Sequence, residues 1–154
     1  MLRLTLVGIV VALASAPVAC AEPGPPSASG SCTADLEGAM TRQPDADSPS
    51  VCRGGAWQPV TTPQPPADRW VSFDSPLKLH GQGMRNPDMA SGKWTATPRD
   101  SAAQCRVQQQ EVVSPGQLSA PATAVAEPGQ RLQFEVPPRM FLIELSGDCL
   151  WERG

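Results

Sequence analysis

One histidine, His80, serves the whole 154-residue chain, and that scarcity removes most acyl-transfer chemistry at the outset. Such catalysis needs a serine or cysteine nucleophile beside a base, usually histidine, and no G-x-S-x-G turn is present. His80 near Asp74 and Ser75 is the one grouping of that kind to weigh, and a histidine at a strand end reads as a surface residue. No C-x-x-C pair exists to hold a metal. Asp45-x-Asp47 lacks the glycine and distal glutamate of a calcium loop, so it reads as a solvated turn. Gly81-Gln82-Gly83 is followed by Pro87 and no helix-forming run, which excludes a phosphate loop. Basic residues are few and scattered (Arg53, Arg69, Lys78, Arg85, Lys93, Arg99), and the net charge is -3. Nucleic acid is therefore not an expected partner, because binding phosphates takes a concentrated basic face. No catalytic, cofactor-binding or metal-ligating residues are assigned.

No apolar run approaches the roughly twenty residues that span a bilayer. The longest, residues 4–14, follows Arg3 and leads to Ala19-Cys20-Ala21, the pattern of a removable export signal over residues 1–21. Ala19 and Ala21 are the small residues that signal peptidase selects, giving a secreted chain that begins at Glu22. The alternative is lipid attachment at Cys20 and tethering at the cell surface. Ala19 suits that reading, and Pro17, where an aliphatic residue is usual, departs from it. Membrane association is expected only through such a lipid.

What the chain has in excess is proline, 18 residues, more than double the usual share of about 5%. Long helices are thereby disfavoured. Residues 22–30 (EPGPPSASG) are too polar to offset an ordering entropy of about 1–2 kcal/mol per residue, and are expected to form a disordered leader. Residues 31–60 read as a small two-cysteine hairpin module with turn chemistry around Pro44, Asp45, Asp47 and Pro49, a Gly54-Gly55 turn, and a strand bearing Trp57. Residues 61–67 (TTPQPPA) form an extended proline-rich linker.

The rest, residues 68–154, alternates apolar and polar side chains with period two: Val71 and Phe73, Leu77 and Leu79, then Leu132, Phe134 and Val136 against Gln133 and Glu135. Further strands are expected at 93–97, 105–113, 140–145 and 149–152. Residues 101–113 could instead form a helix capped by Asp100 or Ser101, but Val112-Val113 running into Pro115 favours a strand. The fold class expected is all-β: a small disulfide-linked hairpin module plus a small antiparallel β-sandwich-like domain.

Apart from Cys20, the cysteines number four, an even set suited to an oxidising compartment. Four cysteines permit three pairings. Cys32 with Cys52 and Cys105 with Cys149 keeps each bridge within one module, whereas the other two pairings cross the proline stretch.

The spacing Cys32, Gly38, Cys52, Gly55, Trp57 resembles a two-cysteine Gly-x-Trp module of bacterial surface and pilin-tip proteins. Gly92-Lys93-Trp94, Cys105 and the closing Gly147-Asp148-Cys149-Leu150-Trp151 are similar to small exported domains of actinobacterial, mycobacterial-type lipoproteins and secreted proteins. The resemblance implies a scaffold and a compartment, in families that mostly lack an assigned activity. Of the four tryptophans, Trp57 and Trp70 are the candidates for stacking on a ligand such as a sugar ring, and Trp94 and Trp151 are expected to fill the core. The polar loop 82–91 is a second place for a partner to dock. The expectation is a non-catalytic exported interaction module that meets an extracellular or cell-envelope protein or polysaccharide. The alternative is a small secreted enzyme or enzyme inhibitor acting through carboxylates or an exposed loop.

Overall fold

The computed structural model describes residues 30–42, 46–61 and 63–154. The expected export signal over residues 1–21 with Cys20, residues 22–29 of the expected leader, Pro44, Asp45 and Thr62 lie outside them. The described residues form an all-β structure of twelve strands with one 3-10 turn, Ala34–Leu36. In chain order the strands are β1 (Met40–Thr41), β2 (Ser50–Arg53), β3 (Ala56–Pro59), β4 (Arg69–Ser72), β5 (Leu77–His80), β6 (Gly92–Pro98), β7 (Arg106–Ser114), β8 (Gln117–Leu118), β9 (Ala122–Val125), β10 (Leu132–Val136), β11 (Met140–Ser146) and β12 (Cys149–Arg153).

Two sheets result. One has seven strands in the order β10-β6-β12-β4-β1-β2-β3; the other has the order β5-β11-β7-β8, with β9 also paired to β7. Period-two alternation sets which side chains meet between them. Trp94 and Ala96 on β6, Leu132 and Val136 on β10, and Trp70 and Trp151 share one core with Leu77, Leu79, Val107, Ile143 and Leu145 of the second sheet. Their neighbours Lys78, Lys93, Gln133 and Glu135 are exposed.

Both bridges have the local pairing, Cys32 with Cys52 and Cys105 with Cys149. The second joins the two sheets, since Cys149 opens β12 while Cys105 immediately precedes β7. That tie, with Val107 buried in the core, draws residues 106–114 into a strand between β11 and β9. Asp100 does make the capping bonds read from the sequence, accepting from the backbone N–H of Ala102 and Ala103 at 2.7 Å each. No helix follows, because sheet pairing beyond Cys105 outweighs local propensity.

The two-cysteine hairpin extends the larger sheet. Its β2–β3 turn places Gly54 and Gly55 at φ 57° and 81°, the left-handed geometry that a two-residue hairpin loop of this kind requires. Strand β1 pairs antiparallel with β2 and parallel with β4, Met40 lying opposite Trp70. Residues 30–39 form a strap over the outer face of the sheet, where Cys32, Leu36, Ala39, Cys52 and Val71 make a second core flanked by Trp57, Phe73 and Leu150. Arg69 fastens the strap: its guanidinium donates to the carbonyls of Asp35 and Glu37 and to the Glu152 carboxylate at 2.8 Å. The exposed Asp35 carboxyl is held below its ordinary range, first by the Thr33 hydroxyl and further by the Arg99 and Arg69 charges. Its contribution to the strap is therefore present above the ordinary carboxylate pKa and lost as pH falls through the lowered value.

Candidate functional site

Loop 81–92 is built around one buried carboxylate that sequence reading did not single out. Asp88 is 7% exposed. Its Oδ1 accepts from Arg42 Nη2 at 2.7 Å, and its Oδ2 accepts from the His80 backbone N–H at 2.9 Å and lies 3.3 Å from His80 Nδ1. The backbone of the same residue closes the loop. Asp88 and Met89 N–H both donate to the His80 carbonyl, and the Asp88 carbonyl accepts from Ala67 N–H at 2.9 Å. One side chain thus ties together the ends of β1 and β5, while its backbone reaches the proline-rich stretch.

The other limb of the loop is pressed onto the start of β11. Gly81 N–H donates to the Phe141 carbonyl and Gly83 N–H to the Met140 carbonyl at 2.7 Å. A Cβ on Gly83 would lie 2.5 Å from the Arg139 carbonyl oxygen, and one on Gly81 would lie 2.7 Å from Met140 Cβ. Gly81-Gln82-Gly83 is thus a close backbone approach. Gln82 Oε1 accepts from Ser91 N–H at 3.1 Å, and Trp94 Nε1–H donates to the Ala90 carbonyl at 3.0 Å. Between these fixed points Gln82, Met84, Arg85 and Asn86 remain exposed. They adjoin a crevice of about 210 Å³ lined by Pro63, Gln64, Asn86, Pro87 and Asp88.

The grouping of His80 with Asp74 and Ser75 is not formed. Both precede β5, whereas His80 ends it and turns its imidazole to Asp88 and, edge-on, to Phe141 at 6.2 Å. The two tryptophans named as ligand contacts also separate. Trp70 is 0% exposed within the main core and offers no ring face to a ligand, because its strand alternation turns it inward between the sheets. Trp57 is half-buried on the outer face, its Nε1–H donating to the Gly30 carbonyl at 2.9 Å and its ring set edge-on to Phe73 at 6.2 Å. Trp94 and Trp151 are buried.

Two other recesses have mixed polar and apolar linings. A groove of about 550 Å³ lies over β6 and β10, where Lys93, Thr95, Gln133 and Glu135 meet Gly154. A smaller one of about 170 Å³ opens beside Gln109, Glu111, Ser119 and Glu135. Among the described residues no three His, Cys, Asp or Glu side chains converge as a metal site would require, and no helix is long and apolar enough to cross a membrane. No family model, curated protein or solved structure matches the chain.

Loop 81–92 depends on Asp88 in a measurable way. Asp88→Ala leaves the Arg42 guanidinium and the His80 amide without their acceptor, and is expected to cost about 2–3 kcal/mol, below the full penalty for a buried pair because Arg42 is 22% exposed. Urea unfolding measures that loss. A change under about 0.5 kcal/mol would show that the carboxylate does not organise the loop.

Proposed function

We propose that this protein is a non-catalytic exported interaction module that works outside the cytoplasm and docks its partner through loop 81–92. The observation that carries this reading is the contrast within the loop. Its two limbs are fixed by Asp88 and by β11, while Met84, 38% exposed, and Arg85 stand clear at the tip. A loop held in one conformation loses little entropy on binding, which suits it to recognition. Two structural disulfides suit the oxidising compartment to which residues 1–21 direct the chain. The partner is an extracellular or cell-envelope protein or polysaccharide.

A photo-crosslinking residue at Met84, with the same residue at Val125 as control, tests the reading on protein expressed in its native host. Val125 is exposed at 48% on β9. One discrete adduct from position 84 and none from 125 is the expected result. No adduct from 84, or the same adducts from both positions, would overturn it. Intact mass of culture medium and of detergent-extracted membranes assigns the form: a chain beginning at Glu22 is diffusible, and lipid on Cys20 means a tethered one.

A further inference from the structure

The two disulfides sit in different mechanical surroundings. Cys105 and Cys149 are both 0% exposed in the main core. Cys149 is paired on both sides, with Ser72 of β4 and Pro98 of β6, and the Cys105 carbonyl accepts from Ala126 N–H at 3.0 Å. Reaching that bridge means breaking strand ladders in the middle of the larger sheet. The Cys32–Cys52 bridge closes a strap that belongs to no ladder before Met40. Cys52, opposite Trp57 in the β2–β3 ladder, is 0% exposed, and Cys32, on the strap, is 8% exposed, so the bridge is approached from the Cys32 side.

The base of the strap is bonded to β2, with Gly38 N–H donating to the Cys52 carbonyl at 2.8 Å and Cys52 N–H to the Ala39 carbonyl at 2.9 Å. Above it, residues 30–37 are held by the buried Leu36 and by surface contacts: the Trp57 Nε1–H bond to the Gly30 carbonyl, the Arg69 bonds to the Asp35 and Glu37 carbonyls, and the Gly54 N–H bond to the Glu37 carboxylate at 3.0 Å. Only Leu36 and Cys32 of residues 30–37 are buried. Segments with few buried contacts and solvent-facing hydrogen bonds open locally without global unfolding. What the strap covers is apolar: Val71 of β4, Phe73 just past its end and Leu150 of β12, on the outer face of the larger sheet.

From these contrasts we infer that the Cys32–Cys52 bridge is a reducible latch: a dithiol reductant opens it selectively, releases residues 30–37 and uncovers the Val71, Phe73 and Leu150 face while the sandwich stays folded. In the exchange a thiolate of the dithiol attacks the Cys32 sulfur and expels the Cys52 thiolate. The reductant's second thiol then attacks the mixed disulfide, leaving two protein thiols and one oxidised dithiol. No other reactant is required.

The test treats the native protein with a dithiol for increasing times, traps thiols by alkylation and maps the labelled peptides, with an apolar dye and far-ultraviolet circular dichroism read in parallel. Cys32 and Cys52 are expected to label at least tenfold faster than Cys105 and Cys149, with dye binding rising as they do and the β-sheet signal unchanged. Equal rates for the two bridges, or earlier labelling of Cys105 and Cys149, would sink the proposal. So would full labelling of Cys32 and Cys52 with no gain in dye binding, because the strap would then stay seated without its crosslink. The Cys32→Ser, Cys52→Ser double variant is expected to bind the dye with no reductant present, and binding no more than the oxidised native protein counts against the latch.

Discussion

Replacing Cys105 and Cys149 together by serine is expected to lower the stability of the folded chain by about 4 kcal/mol, on the loop-entropy account of a ring that closes over a sequence separation of 44. The unfolded chain gains that freedom, while the native state gains little, because β7 and β12 remain locked in their ladders. Two hydroxyls placed among Val107, Trp151 and Leu145 add to the cost. The ring at Cys32 and Cys52 closes over a separation of 20 and has an entropic value of roughly 3 kcal/mol by the same account. Removing it should cost visibly less than that figure, since the strap then opens in the native state too and both states gain freedom. Urea titration followed by tryptophan fluorescence compares the two double variants. An equal loss in both, or a larger one for Cys32 and Cys52, would mean that the strap is as integral to the fold as the inter-sheet bridge.

The all-β class and the local disulfide pairing were legible because both rest on short-range signals. Alternation in LQFEV and LKLH names the buried face of β10 and β5 directly, and each bridge lies within a stretch that has its own turns. The choice between helix and strand after Asp100 was harder, since the capping bonds and the strand are both real and only long-range pairing decides between them. Strand β1 was not legible at all. It is two residues long, and its place beside β4 follows from a single register pair, Met40 with Trp70, that no local pattern encodes. With it went the burial of Trp70 and the strap's second core.

The candidate site was legible only in outline, as a polar loop at 82–91. Asp88 reads in sequence as one more turn aspartate after Asn86-Pro87, and its significance comes from Arg42, which lies 46 residues earlier. Nothing short of the folded arrangement distinguishes it from Asp74, an exposed residue in another turn.

Trp151 carries the other large expected effect, and Trp70 supplies the contrast that explains it. Both indoles are fully buried in the same core and face one another across the β4–β12 pairing. Trp151 Nε1–H donates to Ser72 Oγ at 2.8 Å, and that hydroxyl donates in turn to the Gly147 carbonyl at 2.6 Å, so the side chain anchors the crossover between β11 and β12 as well as filling space. Its ring also meets Phe134 edge-on at 5.8 Å. Trp151→Ala is expected to cost about 3–5 kcal/mol, a large share of the roughly 5–15 kcal/mol that stabilises a domain. Trp151→Phe keeps most of the ring and loses the N–H, whereas Trp70→Phe removes an N–H that has no hydrogen-bond partner among the described residues. The phenylalanine variant at 151 should therefore be the more destabilised of the pair by about 1 kcal/mol, the net value of a hydrogen bond, with the cavity contribution similar in both. Equilibrium unfolding of the two variants reads that difference. A null or reversed order would show that the Trp151–Ser72–Gly147 chain adds nothing beyond packing, and would return the crossover to the care of the Cys105–Cys149 bridge and the Arg99–Asp148 ion pair at 2.9 Å.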